Sequence, residues 1–171
     1  SQLSGTENLA LAPYSVSLAL QIAAAGAGSG MEQEMARALN VNSLDGADRL
    51  TAARELSLKL AAADPAVQLD IANSIWVQKG FKVLPSYLKE AAEKFQANTA
   101  ELDFADPKAS SYINAWVKSA TKNKIERIVP DSIDPDVRMY LINAVYFKGA
   151  WTTPFDKQAT LEDDFTRSDG K

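Results

Sequence analysis

Leu141-Ile142-Asn143-Ala144-Val145-Tyr146-Phe147-Lys148-Gly149-Ala150-Trp151 is the stretch that decides the fold class. From Met139 to Phe147 both alternating sets of side chains are apolar. A strand with one wet face alternates apolar and polar residues, so this pattern predicts a strand in the middle of a sheet covered on both faces. It requires helices above and below and a neighbouring strand at each edge. Asn143 is the exception within it. An amide in an apolar strand costs free energy unless each of its hydrogen-bond positions finds a partner. The plain reading is a satisfied core amide that fixes register.

Reading back from that strand, Asp131, Asp134 and Asp136 lack calcium-loop spacing and sit among turn formers, which predicts a solvated loop. Asp106-Pro107 starts a helix whose Ile113, Trp116, Val117 and Ala120 form one apolar stripe suited to packing on a sheet. Ala100, Leu102 and Phe104 alternate as a short strand, and Pro85 fits the first turn of a helix carrying Leu88, Ala91, Ala92 and Phe95. From Val67 the period is two, with Val67, Leu69, Ile71, Ile75 and Val77 opposite Gln68, Asp70 and Gln78. That predicts a strand of about ten residues. Asp48 begins a helix with Leu50, Ala53, Leu56 and Leu60 inward, closed by Asp64-Pro65. Ser29 and Glu32 have capping-box spacing ahead of Met31, Met35, Ala38 and Leu39. Pro13 stops any helix behind it, and Ser15 is placed to cap a new one through Val16, Ala19, Leu20 and Ala23, Ala-rich and nearly uncharged. Alternating helical and extended pieces without repeats predict one mixed α and β domain.

The totals remove whole classes of function. With 46% hydrophobic and 23% charged residues in 171, the chain is of ordinary globular composition rather than disordered. Lys and Arg number 18 against 22 acids, a net charge of −4 with no basic tract that follows a phosphate backbone, so nucleic acid is not expected as a partner. There is no Cys and no His, hence no disulfide, no thiolate nucleophile, no Cys-based zinc site and no imidazole base. The longest apolar run, Leu18 to Ala27, falls short of the roughly 20 residues that span a bilayer, so no membrane partner is expected. Three Ser-x-x-Lys matches, at Ser86/Lys89, Ser119/Lys122 and Ser168/Lys171, lack the Ser-Asp-Asn and Lys-Thr-Gly strings that would complete a site. No enzymatic activity, cofactor or metal is expected.

Several strings resemble the serpin family of protease inhibitors. Asn8-Leu9-Ala10-Leu11-Ala12-Pro13-Tyr14-Ser15-Val16-Ser17-Leu18-Ala19-Leu20 is similar to that family's strand leading into a buried second helix. Ala72-Asn73-Ser74-Ile75-Trp76-Val77-Gln78 with Phe81-Lys82-Val83 resembles the second strand of its large sheet, sheet A, and the turn that follows. Trp116-Val117 with Thr121, Lys124 and Ile125 resembles the helix across that sheet. Leu141 to Trp151, followed by Phe155 and Phe165, resembles the third strand and its exit. Four separated strings agree in order and spacing, from about Asn8 to the end of the chain. Ala12 departs from the family's usual Ser.

The resemblance implies an α+β fold, a multi-helix domain on a large mixed β-sheet, incomplete in this chain. Residues 1–171 would be the N-terminal part of a single serpin domain, with most of the first helix, the later strands and the reactive-centre loop outside it. It implies a serine-type endopeptidase inhibitor whose loop is cleaved and enters sheet A beside the third strand. The alternative is a non-inhibitory relative acting as carrier, chaperone or storage protein. Asn8, Pro13, Ser15 and Asn143 map onto the polar "shutter" that controls sheet opening, Asn8 and Pro13 as supports. Trp151 maps onto the "breach" where insertion begins and is expected to be buried against the strand Val137 to Phe147. The implied partners are a serine or, less often, cysteine endopeptidase and the remaining C-terminal part. Arg49, Arg54 and Lys59 are offset by Asp48 and Glu55, so no glycosaminoglycan site is expected. An extracellular or secreted location is implied by the resemblance alone.

Overall fold

The computed structural model describes residues 11–166 and 170. In chain order the elements are α1 (Pro13–Ala25), α2 (Ser29–Ala38), α3 (Gly46–Ala61), β1 (Val67–Gln78), α4 (Pro85–Phe95), β2 (Asn98–Leu102), α5 (Ala109–Ala120) and β3 (Met139–Gly149). The sheet is mixed and ordered β2-β1-β3. β1 runs parallel to β2, with Ser74 opposite Asn98, and antiparallel to β3, with Asn73 opposite Asn143 and Val67 opposite Gly149.

Both faces are covered along Asn73–Val77 of β1 and the middle of β3, which is why β3 is apolar on both sides and Asn73–Val77 is buried throughout. On one face Ile75, Val77 and Leu141 meet α1, α3 and α4 through Leu18, Ile22, Leu50 and Phe95. On the other, Trp76 and Ile142 meet α5 through Ile113 and Val117, with Val129 and Ile133 of the following loop. Trp76 and Trp116 pack edge to face, their centroids 6.1 Å apart. The expectation for β3 holds for its faces from Tyr140 to Val145, whereas Met139 and Phe147 are exposed. Its edges differ: among the described residues β3 pairs with β1 alone, so it stands at the margin of the sheet.

Helix starts follow local chemistry only where nothing distant competes. Asp45 caps α3 by accepting from the Asp48 N–H at 2.9 Å, so this helix begins before the predicted Asp48. Pro85 opens α4 as expected. α1 begins at Pro13, whose fixed φ suits a first helical position, rather than being capped by Ser15. The Ser15 hydroxyl is thereby free for another partner. The Ser29/Glu32 capping box does not form: Gly28 holds the cap position, and the Glu32 carboxylate pairs with Arg49 of α3 instead. In α3, Leu50 and Ala53 turn inward, whereas Leu56 and Leu60 stay exposed. β2 ends at Leu102, and the buried Phe104 follows it with its N–H held by the Gln78 side chain at 2.7 Å.

Candidate functional site

The β1–β3 register sets Asn73 and Asn143 opposite one another, both on the face toward α1 and α4. Asn143 Nδ2 donates to Asn73 Oδ1 at 2.7 Å. Asn73 Nδ2 in turn donates to the Phe95 carbonyl at 2.8 Å. This carbonyl lies in the last turn of α4, where no later helical N–H exists to reach it, so the amide satisfies an orphan acceptor. At the other end Ser15, in the first turn of α1, donates from its hydroxyl to Asn143 Oδ1. One relay, Ser15 to Asn143 to Asn73 to the Phe95 carbonyl, therefore joins α1, β3, β1 and α4.

Asn73 is the relay member that sequence reasoning missed. It is only 4% exposed, more deeply buried than Asn143. The signal existed, because Asn73 is also an amide in a largely apolar strand. On the opposite face Ser74, fully buried, accepts from Trp76 Nε1 at 2.8 Å and anchors the indole. None of the relay side chains titrates, and none is a nucleophile with a base beside it. Such a network can hold elements together or let them part, but it cannot move protons for a reaction. Nearby in α4, burial pushes the Tyr87 phenol above its ordinary pKa, and among the described residues its hydroxyl has no hydrogen-bond partner.

The remaining candidates are scattered. Pro13 is exposed at the start of α1, two residues before Ser15, and acts by setting where the helix begins. Asn8 lies outside the described residues. Trp151 departs from expectation: it is 72% exposed and packs edge to face on Phe155 at 5.9 Å, not on the strand that precedes it. The β1–β3 pairing ends with Val67 opposite Gly149, so among the described residues no strand pairs with Trp151. Ser86 and Ser119 are exposed, and Lys122 pairs with Asp70 at 3.4 Å rather than serving as a base; Ser168 and Lys171 lie outside the described residues. Asp131 pairs with Arg127 at 3.0 Å, and Asp134 accepts from the Asp136 N–H at 2.8 Å, which is turn chemistry. Among the described residues no group of acids is arranged to hold a metal ion, and no helix is long and apolar enough to cross a membrane.

Comparison with known proteins places this architecture. The sequence model of one family, Serpin (serine protease inhibitor), matches residues 1–171. Iripin-2 of Ixodes ricinus is 36% identical over 167 residues, which cover 95% of this chain and 42% of that protein. The crystal structure of the thermophilic serpin tengpin in the latent state has a TM-score of 0.85 at 34% identity, covering 99% of this chain and 45% of that one. The complex of thyroxine-binding globulin with thyroxine has a TM-score of 0.79 at 25% identity, covering 90% of this chain and 42% of that one. The chain spans about two fifths of the length of the curated relatives it matches. With one family matched along all 171 residues and the same fold in its solved members, the chain belongs to the serpin family.

Proposed function

We propose that this chain is the N-terminal part of a single inhibitory serpin domain, whose target is a serine endopeptidase or, less often, a cysteine one. In this reading the protease cleaves a reactive-centre loop carried by the remaining C-terminal part of the domain. The loop then enters the sheet as a new strand beside β3, and the protease is dragged along and distorted. The observation that supports it most is the Ser15–Asn143–Asn73 relay, which ties β3 to β1 and α1 by side-chain hydrogen bonds in addition to the backbone ladder. A strand that must shift to admit a neighbour needs a fastening that can be exchanged, and neutral side-chain hydrogen bonds of about 1 kcal/mol each are of that kind. Ser15 and Asn143 are the contacts of this shutter, Asn73 belongs with them, and Asn8 and Pro13 support it. Trp151, exposed just beyond the end of β3, belongs to the breach where insertion begins.

A non-inhibitory carrier is the second reading, favoured by the likeness to thyroxine-binding globulin bound to thyroxine. The two separate on the intact protein. An inhibitor incubated with trypsin-, chymotrypsin- and elastase-type proteases gives a detergent-resistant complex, and cleavage of its loop raises its melting temperature. A carrier gives only cleaved protein, with no complex and no gain in melting temperature.

A further inference from the structure

Between α1, α2, α3 and α4 lies a cavity of about 200 Å³. Its apolar wall comes from Ala24, Ala25, Ala36, Leu39 and Leu50. The alanines leave the space, since a larger side chain at Ala24 or Ala36, both buried, would fill it. An apolar cavity of about 150 Å³ admits a benzene ring, so about 200 Å³ is room enough for a ring with a short substituent.

Four polar side chains reach the same space: Gln21, Glu32, Arg49 and Glu90. Glu32 and Arg49 form an ion pair with the Arg49 side chain only 12% exposed, and Arg49 also donates to the Leu44 carbonyl at 2.9 Å. The pair is seated against Gly46, where an added Cβ would stand 2.9 Å from the Glu32 oxygen. Glu90 has no ion-pair partner among the described residues. Gln21 is 8% exposed and donates through Nε2 to Ser17 at 3.1 Å, while among the described residues its Oε1 accepts nothing. The cavity thus carries two carboxylates against one guanidinium and an unused amide acceptor. Its complement is a single cation that donates hydrogen bonds, and attraction between charges is stronger there than in open water. Glu32, Ala36, Gly46 and Arg49 also line a wider outer cleft of about 510 Å³, so the cavity and this cleft share a wall.

We propose that this cavity binds a small amphipathic amine. The apolar body sits among the alanines, and the ammonium group is held by Glu90 and Gln21 Oε1, with Glu32 close by. The site is separate from the sheet and its relay, and it stands whether or not the protein inhibits a protease. The test is isothermal titration calorimetry of the intact protein with 2-phenylethylamine, with 3-phenylpropionate as the probe of opposite charge. Saturable one-to-one binding of the amine and none of the carboxylate is expected. Glu90→Gln, which keeps shape and removes charge, weakens amine binding at least tenfold, and Ala36→Leu, which fills the space, abolishes it. Absence of saturable amine binding at millimolar concentration overturns the proposal. So does equal affinity for the two probes, or a folded Glu90→Gln variant that binds the amine as the parent does.

Discussion

Replacing Asn73 by Ala removes the middle of the relay and tests whether it fastens the sheet. Two hydrogen bonds disappear, one to the Phe95 carbonyl at 2.8 Å and one from Asn143 Nδ2 at 2.7 Å. Each such bond contributes about 1 kcal/mol net, and a buried group left without a partner costs about 1 to 3 kcal/mol. Asn73 is nearly inaccessible, so water does not fully replace the lost amide at the Phe95 carbonyl. The expected destabilisation is about 3 to 5 kcal/mol. Urea unfolding of the intact protein followed by tryptophan fluorescence reports on it, because Trp76 is buried three residues along the same strand. Ser15→Ala removes a bond to the same Asn143 side chain, so the two changes should couple by at least about 0.5 kcal/mol in a double-mutant cycle. If inhibition works by sheet opening, Asn73→Ala also converts to latent or self-associated forms at lower temperature than the parent. A shift in stability below about 0.5 kcal/mol, or strict additivity with Ser15→Ala, would refute the fastening role.

Further outcomes follow from other sites. Tyr87→Phe should stabilise the protein by about 1 to 3 kcal/mol, because it removes a buried hydroxyl that has no partner among the described residues. The alkaline limb carries the same signature: burial raises the Tyr87 pKa, so its contribution is intact below the unfolded-state value of about 10 and is lost as pH rises toward the folded-state value, a loss that Tyr87→Phe abolishes in pH-dependent melts. Gly26→Ala should destabilise by about 1 to 3 kcal/mol, since the new Cβ would lie 2.9 Å from the Tyr87 ring; unchanged urea midpoints would show that the ring yields freely. The 171-residue chain by itself should self-associate and bind a hydrophobic dye, because β3 leaves an edge open and Phe147, Trp151, Phe155, Leu161 and Phe165 are exposed. A monodisperse monomer by light scattering would contradict that.

Element types were legible in the sequence because they depend on neighbours within a few residues. Proline at a first helical position, period-two alternation from Val67 and a strand apolar on both faces all fix local geometry and state which faces must be covered. That Asn143 needs partners was equally legible, since an apolar strand offers an amide none. Which partners it takes was decided by tertiary structure, because Asn73 and Ser15 arrive from 70 and 128 residues away through strand register and the crossing of α1. The same competition explains the misread caps. A capping box at Ser29 and Glu32 is a local option, and the Arg49 guanidinium brought up by α3 offers that carboxylate a charged partner, so the distant contact prevails. Trp151 shows the converse: an indole's size makes burial favourable, but only neighbouring elements can supply it, and past Gly149 no strand among the described residues pairs beside it.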